Sequence, residues 1–418
     1  MLKKVRLFTP GPTPLLPAAQ FAMAAADIHH RTAEFRALYQ RVLAQLRDFV
    51  GTKNDVILLA SSGTGAMEAA VSNLTSPGDR VLVLSAGKFG ERWTSLAKAF
   101  GCQIETLSAP YGQTFAIEEV RTKLKPDIKV VFMQATETST GARHCVQSIA
   151  ALTKETGALL VVDAITGLGT THFDVDGWGI DVIIGGSQKA VMIPPGLAYC
   201  AVSERAWQRM ETSKNPRYYF DLRKERKAAA NGESAYTPAV ALIAALGAAL
   251  DYIADGAGGN IAAGRDALIH NAEVVAEITR AAVQACGLKL FAPTAPAAAV
   301  TAVLAPEGTD SGKVVKGFKE QFGGVIANGQ GEMKGQLFRI AHLGFFDYLD
   351  TIAMVGGLEH VLQPILGRNL LGVGLKAAQE VYAKRRGTSL AQLLEADQRC
   401  SCGRPAEGCS SSLAAMSA

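Results

Sequence analysis

The sequence predicts an α/β fold with a mostly parallel central sheet, together with a second, smaller α+β domain. Between residues 55 and 202, short apolar runs rich in Val and Ile alternate with helical patterns. Such runs are typical of strands that are buried on both faces of a parallel sheet. Beyond about residue 260 the pattern changes, and one long helical stretch precedes shorter strand candidates. This change indicates a separate α+β unit.

The strands of the large sheet are predicted at the apolar runs 55–60, 80–85, 129–134, 159–163, 181–185 and 197–202. Ligands bind beyond the carboxyl ends of such strands, so the residues directly after these runs are the candidates for chemistry. In the C-terminal part, the pattern predicts helices and strands at 262–285 (helix), 298–304 (strand), 335–342 (strand), 348–366 (helix) and 368–385 (helix).

The length of 418 residues is too great for one compact core and suits two domains. We expect an N-terminal arm (1–20) that packs back onto the smaller domain, a large cofactor-binding domain (21–258) and a smaller C-terminal domain (259–366). An extra helical segment (367–398) and a tail (399–418) follow. The tail is rich in Ser, Ala, Gly and Cys and is predicted to be disordered.

Composition excludes several classes of protein. Hydrophobic residues make up 48% of the chain and charged residues 19%, which is ordinary for a globular enzyme. The 42 basic and 38 acidic residues give a net charge of +4, too weak to indicate nucleic-acid binding. The N-terminus lacks the apolar stretch of a signal peptide. The most apolar run, 239–250, is too short to span a bilayer and predicts a buried helix.

Seven cysteines are an odd number, and four of them lie far apart in apolar surroundings: Cys102, Cys145, Cys200 and Cys286. This pattern predicts reduced thiols in a cytoplasmic protein. The other three, Cys400, Cys402 and Cys409, lack the spacing and the fourth ligand of a zinc knuckle and are interpreted as incidental thiols.

Two adjacent histidines, His29 and His30, precede a predicted helix. Adjacent side chains point apart in a regular element, and no Cys or Asp partner is spaced nearby, so no metal site is predicted. Together with an arginine at position 31 they are candidates to line a substrate entrance.

Lys189 and Asp163 are the candidate catalytic pair. Lys189 follows an apolar strand in a Gly/Ser turn, where a partly buried amine has a lowered pKa and can bind an aldehyde cofactor. Asp163 ends the strand 159–163, where a carboxylate can keep the pyridine nitrogen of pyridoxal-5'-phosphate (PLP) protonated. Taken singly, the position of Lys189 favours an ordinary surface lysine after a strand, and Asp163 fits a turn or helix-capping role equally well. The neighbouring motifs reverse the interpretation of Lys189.

The segment 61–68 has the composition of an anion-binding turn. It follows a predicted strand, opens an apolar helix and contains Ser62, Gly63 and Thr64. Small residues at a helix N-terminus suit a phosphate monoester. The alternative, a dinucleotide site, is disfavoured because Glu68 replaces the third glycine and no acidic residue ends the second strand.

Two further candidates follow the next strands. Phe89 could stack on an aromatic cofactor ring, and Thr138 could donate a hydrogen bond to a ring hydroxyl. A core phenylalanine and a plain Ser/Thr-rich loop are the respective alternatives.

The ordered motifs at 8–12, 61–65, 137–141, 162–164, 186–189 and 338–344 resemble those of the class V PLP-dependent aminotransferases, particularly the alanine/serine:glyoxylate and serine:pyruvate branch. The resemblance extends to about residue 366. It implies fold type I, with a seven-stranded sheet in the large domain, and transamination from alanine or serine to glyoxylate or pyruvate.

The resemblance also implies roles for individual residues. Lys189 would hold PLP as a Schiff base and move the substrate proton, and Asp163 would pair with the pyridinium nitrogen. The remaining cofactor-binding residues would be Ser62, Gly63, Thr64, Phe89, Thr138, Gln188 and Thr237. Thr237 would reach the cofactor of a neighbouring subunit, which implies active sites shared across a homodimer. Arg339 would bind the substrate α-carboxylate, as a guanidinium fork does, with Gly11 nearby.

The sequence departs from some relatives, with Thr64 in place of His, Phe89 in place of Trp, and no clear counterpart of a subunit-crossing tyrosine, since the register of Tyr236 is doubtful. A second hypothesis is a class V lyase such as a cysteine desulfurase. That chemistry needs a nucleophilic cysteine near Arg339, and the nearest preceding cysteine, Cys286, lies more than fifty residues earlier in the chain. A third hypothesis is a PLP-fold subunit of a larger complex, of the kind labelled as a hydrogenase subunit. The complete set of lysine, aspartate and arginine favours an enzyme.

Overall fold

The computed structural model describes residues 3–396, and its centre is a seven-stranded sheet. The strands of this sheet are β2 (Asp55–Leu59), β3 (Arg80–Ser85), β4 (Gln103–Ser108), β5 (Val130–Gln134), β8 (Leu159–Asp163), β9 (Val182–Gly186) and β10 (Ala198–Val202). Their order across the sheet is β2-β10-β9-β8-β5-β3-β4. The α/β fold and all six strand predictions are confirmed, with ends that differ by a residue or two.

Alternate residues of each central strand enter two different cores. In β8, for example, Leu160 and Val162 belong to one buried cluster, whereas Leu159 and Val161 belong to the other. The side chains of a strand point alternately to opposite faces, so both faces of this sheet are covered. This double burial explains why the strands read as continuous apolar runs in the sequence.

Two features of the sheet escaped the sequence analysis. β10 runs antiparallel to both of its neighbours, because the connection from β9 contains no crossover helix that could return the chain in parallel. β4 was not predicted at all. It lies at the sheet edge and is largely exposed, so polar residues interrupt its apolar pattern.

Helices flank the sheet and connect its strands: α1 (Pro17–Ala25), α2 (Ala33–Val50), α3 (Gly63–Leu74), α4 (Lys88–Ala99), α5 (Ile117–Lys123), α6 (Val146–Thr156), α7 (Val175–Trp178), α8 (Glu204–Thr212), α9 (Leu222–Ala229) and α10 (Val240–Asp255). α10 is the buried helix predicted from the most apolar run. A short hairpin, β6 (Thr136–Glu137) and β7 (Ala142–Arg143), follows β5.

The C-terminal part has its own core and a three-stranded antiparallel sheet of order β11-β14-β13. Its elements are α11 (Ile261–Ala285), β11 (Val300–Leu304), α12 (Ser311–Phe322), β12 (Gly324–Val325), β13 (Ala327–Asn328), a 3-10 turn (Gly331–Met333), β14 (Leu337–Ala341), α13 (Tyr348–Leu366), α14 (Val373–Arg385) and α15 (Leu390–Ala396). The predicted helices and strands of this part are present. The cysteine-containing tail beyond residue 398 lies outside the described residues.

The N-terminal segment joins the small sheet to the large one. β1 (Arg6–Leu7) pairs in parallel with β12, and the backbone N–H of Ala341 donates to the carbonyl of Phe8. Farther along, the N–H of Leu16 donates to the carbonyl of Met192, in the turn that follows β9. Residues 8–16 therefore run from the C-terminal sheet to the carboxyl edge of the large sheet.

Candidate active site

The residues predicted to carry chemistry meet at the carboxyl edge of the large sheet. Strands β2, β3, β5, β8 and β9 run in the same direction, because β3, β5, β8 and β9 pair in parallel and β2 is antiparallel to β10. Their carboxyl ends therefore lie at one edge, the position at which α/β sheets bind ligands.

Lys189 lies in the connection from β9 to β10 with its amine buried. Its Nζ donates to the carbonyl of Pro10, and only 8% of the residue is exposed. Burial lowers the pKa of Lys189 to about 8; the Asp163 carboxylate opposes this shift, whereas Arg339 and Arg92 add to it. A substantial fraction of the amine is therefore neutral near pH 8, as a nucleophile requires.

The turn that carries Lys189 is held in place from several sides. The Thr13 hydroxyl donates to the carbonyl of Lys189 (3.1 Å), and the Ser187 hydroxyl donates to that of Pro194 (2.7 Å). Met192 has a φ of 60°, a costly conformation for a residue other than glycine. Gly11 has a φ of 146°, and a Cβ there would lie 2.6 Å from the Lys189 Nζ, so only glycine fits beside the amine.

Asp163 ends β8 and is buried; among residues 3–396 its carboxylate accepts one hydrogen bond, from the N–H of Ile165 (2.9 Å). Burial raises the pKa of Asp163 to about 6, and the nearby Glu137 carboxylate raises it further, against the effect of the Ile165 hydrogen bond and of Lys189. A buried carboxylate with one unfilled oxygen suits a protonated heterocyclic nitrogen.

The raised pKa of Asp163 predicts a pH dependence of stability in the cofactor-free protein. The carboxyl group ionises at about 6 in the folded chain and near its ordinary value of 3.8 in the unfolded chain. Its contribution to stability is therefore present below pH 3.8 and is lost as the pH rises through about 6, by an amount on the order of 2–3 kcal/mol. Asp163→Asn should remove this term, so we expect the variant to gain stability relative to the parent between pH 4.5 and 7.5. Chemical denaturation at both pH values measures this difference, and a difference that does not change with pH would contradict it.

The first turn of α3 forms a small anion-binding cup. Ser62 is the N-cap residue and its side chain makes no capping hydrogen bond, so the hydroxyl is available to a ligand. Gly63 packs against Ile165, where no side chain would fit. The Gln188 Oε1 is buried without a partner among the described residues. The Ser62 hydroxyl and the backbone N–H groups of a helix N-terminus are donors that suit a phosphate, whereas the Gln188 Oε1 is an acceptor and needs a donor.

Phe89 lies in the first turn of α4, with its half-buried ring against the guanidinium of Arg92 (4.8 Å from Cζ to the ring centroid). The same guanidinium donates to the Thr64 hydroxyl (3.0 Å). Arg92 was not predicted as a site residue, because it lies within the amphipathic helix α4, three residues after Phe89. It is a cation in contact with two of the predicted cofactor-binding residues.

Thr138 and Arg339 meet although 201 residues separate them. The Arg339 Nη1 donates to the Thr138 carbonyl (3.1 Å), and Nε and Nη2 donate to the carbonyl of Asn328 (3.1 and 2.8 Å). The Thr138 hydroxyl donates to that of Thr166 (2.9 Å). Burial lowers the pKa of Arg339 to about 10, against the effect of Glu137. The small sheet thus delivers a desolvated cation to the edge of the large sheet.

Not every predicted residue joins this group. Thr237 is exposed and lines a separate cavity with Tyr219, Tyr236 and Glu225. The Tyr236 hydroxyl donates to the carbonyl of Tyr218 (2.6 Å). Within a single chain, Thr237 therefore lies apart from Lys189.

The side chains of the two histidines before α2 were expected to point apart, and the structure differs in this respect. The segment is a turn and not a regular element, so the rings of His29 and His30 do not diverge but lie 4.6 Å apart. Within residues 3–396, no group of three or more His, Cys, Asp or Glu side chains could hold a metal ion. No helix in the same residues is long and apolar enough to cross a membrane.

The environment of Cys286 does not support the hypothesis of a cysteine desulfurase. Its thiol is buried against Gly374 in the C-terminal core, and burial raises its pKa to about 11. A desulfurase needs a reactive thiolate near the substrate, and a buried thiol with a raised pKa is inert.

The residues at this edge fit PLP on structural grounds. A desolvated amine and a buried carboxylate influence each other's pKa, and a helix N-terminus with an uncommitted hydroxyl lies at the end of β2. These are the groups that an aldehyde, a pyridine nitrogen and a phosphate monoester need.

Comparisons with known proteins agree with this geometry. The model of the family described as "Aminotransferase class-V" matches residues 18–293. The chain is 40% identical to the "Soluble hydrogenase 42 kDa subunit" of Anabaena cylindrica over 387 residues, which is 91% of this chain and 99% of that protein. It is 31% identical to a serine–glyoxylate aminotransferase of Methylorubrum extorquens, covering 84% of this chain and 90% of that protein.

The solved structure of an aspartate aminotransferase of subgroup IV from Thermus thermophilus has a TM-score of 0.80 and 35% identity, covering 86% of this chain and 99% of that one. The cofactor of this family is pyridoxal 5'-phosphate. The chain therefore belongs to the class-V aminotransferase family and is a PLP-dependent aminotransferase.

Proposed function

We propose that this enzyme transfers the amino group of alanine or serine to a small 2-oxo acid, glyoxylate or pyruvate. The observation that carries the proposal is the placement of Asp163 and Arg339 around the buried Lys189 amine, whose pKa the charges of both residues affect. A protein that only bound a cofactor would have no need of a buried guanidinium beside the amine.

Lys189 is the residue that holds the cofactor and moves the proton. Its Nζ, kept partly neutral by burial, first attaches the cofactor and then accepts the proton from the substrate Cα and returns it. Asp163 keeps a proton on the pyridine nitrogen. When bound, PLP supplies a ring that takes up the electron pair left on the substrate carbon.

The first turn of α3 holds the phosphate and the flanking residues orient the ring. Ser62, Gly63, Thr64 and Gln188 are the phosphate-binding residues in this proposal: the first three form the start of α3, and Gln188 precedes Lys189. Phe89 would stack on the ring, and the Thr138 hydroxyl, which donates to Thr166 in this structure, would rotate to donate to the phenolic oxygen.

Arg339 binds the α-carboxylate shared by the amino donor and the oxo-acid acceptor. Its fork of donors matches a planar carboxylate, and its carbonyl partners fix its direction. Gly11 places backbone beside the Lys189 amine, so the substrate carbon can approach without a side chain in the way.

We further propose a homodimer with shared active sites. Thr237 is exposed on one chain and apart from its own Lys189, as expected of a residue that reaches a neighbouring subunit's phosphate. Within residues 3–396, Cys102, Cys145, Cys200 and Cys286 form no disulfide, as expected in a reducing compartment such as the cytoplasm.

A dicarboxylic donor such as aspartate is a second candidate, favoured by Arg92. This guanidinium contacts Thr64 and Phe89 and forms no ion pair with a carboxylate in the described part of the chain. A cation at that position can bind the distal carboxylate of a larger substrate.

A screen of single half-reactions distinguishes these donors. The purified enzyme, loaded with PLP, is mixed with alanine, serine or aspartate without an acceptor, and loss of the visible cofactor absorbance is followed. We expect rapid loss with alanine or serine, and recovery when glyoxylate or pyruvate is added. Reaction with aspartate alone, abolished in Arg92→Gln, would replace the first proposal by the second. A coloured protein that reacts with no donor would favour a non-catalytic subunit.

A further inference from the structure

Glu137 is a fully buried carboxylate at the edge of the site, and the proposed chemistry gives it no part. It ends β6, in the hairpin that also carries Thr138. Its oxygens accept hydrogen bonds from the backbone N–H groups of Phe89 (3.2 Å) and Gly90 (3.1 Å), and from the N–H and hydroxyl of Ser139. Sequence position gave no indication of these contacts, because 48 residues separate Glu137 from Phe89.

The hairpin caps the start of α4 from outside the helix. The N-cap residue of α4 is Gly87, which has no side chain to cap with. The Ser139 hydroxyl accepts from the N–H of Lys88 (3.1 Å), and Glu137 accepts the next two N–H groups. A Cβ at Gly87 would lie 2.5 Å from the Glu137 carboxyl carbon, so the glycine leaves room for the carboxylate. The position of the Phe89 ring therefore depends on Glu137.

The hydrogen bonds of Glu137 all run toward its carboxylate and favour the ionised form. Burial raises the pKa of Glu137 overall, and the bonds from Ser139, Gly90 and Phe89 reduce that rise. All of these partners donate to the carboxylate, and the Ser139 hydroxyl oxygen already accepts from Lys88. A protonated acid would leave its own O–H without an acceptor.

The charge of Glu137 reaches the reacting groups. It raises the pKa of Asp163 on β8 and that of Arg339 on β14. The other charged groups that influence these residues are Lys189, after β9, and Arg92, on α4. One carboxylate thus contacts the helix that bears the stacking ring and also acts on the groups that face the cofactor and the substrate.

We propose that Glu137 is a positioning residue of the active site, which fixes the Phe89 ring at the start of α4 and supplies a negative charge beside Asp163 and Arg339. The inference rests on the proposed function, because it assigns the Phe89 ring and the Asp163 carboxylate to PLP. It differs from simple helix capping in that a change at Glu137 should alter the bound cofactor as well as stability.

The test compares Glu137→Gln with Glu359→Gln. Glu359 is also buried and accepts backbone N–H bonds at the start of a helix, from Gly372 and Leu375 (both 2.8 Å), but in the C-terminal core. The two substitutions make the same chemical change in the same kind of capping contact. The PLP-loaded proteins are titrated with pH while the visible absorbance is followed, and their visible circular dichroism and melting temperatures are measured.

Loss of a negative charge disfavours nearby protonated cations, so the midpoint of the absorbance titration in Glu137→Gln should fall by about half a pH unit or more. The visible circular dichroism should weaken because the stacking ring is less well fixed. Glu359→Gln should change neither signal, even if its melting temperature falls. Equal melting losses with unchanged cofactor signals in both variants would show a purely structural role and overturn the proposal.

Glu137→Asp tests the two effects separately and serves if the glutamine variant does not fold. It keeps the charge and shortens the side chain, so we expect a titration midpoint near that of the parent and a weaker circular dichroism. A parent-like circular dichroism would refute the positioning role, and a midpoint as low as that expected for glutamine would refute the role of the charge. A parent protein without PLP absorbance would instead overturn the proposed function itself.

Discussion

Replacement of Lys189 by alanine is expected to lower the rate of transamination by about 10³-fold or more and to abolish the visible absorbance of bound PLP. The amine is the buried nucleophile at this edge of the sheet, and Gly11 packs directly against it. Among the residues that the structure describes, Lys189 is the one lysine whose charge acts on Asp163. Steady-state rates with alanine and glyoxylate, together with the absorption spectrum of the purified variant, measure the effect.

Lys154→Ala is a matched control, because the Lys154 amine also donates to a backbone carbonyl, that of Gly177 (2.7 Å), but lies outside the site. This variant should keep both the rate and the spectrum. The assignment of Lys189 would be wrong if its alanine variant remained coloured and active while its fold, judged by circular dichroism, was intact.

Arg339→Lys is expected to lower kcat/KM for the amino donor by about 100-fold, which corresponds to roughly 3 kcal/mol of lost interaction. Lysine keeps the positive charge but cannot present two parallel N–H donors to a carboxylate. It also cannot reproduce the three bonds to the carbonyls of Thr138 and Asn328 that aim the guanidinium. The absorbance of bound PLP should survive, because Arg339 is assigned to the substrate.

The matched control is Arg385→Lys, in which the arginine pairs through two nitrogens with Glu277 away from the site. It should leave kcat/KM unchanged. Parent-like kinetics in Arg339→Lys would remove Arg339 from the substrate site, and loss of the cofactor absorbance would assign it to the cofactor instead.

Both predictions concern residues that the sequence identified before the fold was known. Lys189 and Asp163 follow apolar runs, and parallel strands bring their carboxyl ends to one edge. Ser62 and Thr138 follow two further strands for the same reason. The local pattern placed these candidates at one edge because strand ends converge wherever the strands are parallel, whereas their individual roles, and the choice of Arg339, came from the resemblance to the family.

Residues on helices and hairpins were harder to assign. Arg92 and Glu137 look like an ordinary helix arginine and a loop glutamate in the sequence, yet they contact Phe89 from two directions. The edge strand β4 was missed because one side of it is exposed and carries polar residues. The position of Thr237 relative to Lys189 likewise depends on packing between distant segments.

The sequence by itself determined the mostly parallel sheet, its doubly covered core and the candidate residues that follow its strands, because each depends on patterns within a few neighbouring residues. The tertiary structure decided which distant groups share the pocket: Pro10 against Lys189, 179 residues apart, Arg339 against Thr138, 201 residues apart, and Glu137 at the start of α4. These contacts arise from the packing of separate elements. Burial then set the charges, by lowering the pKa of the Lys189 amine and raising that of the Asp163 carboxyl group.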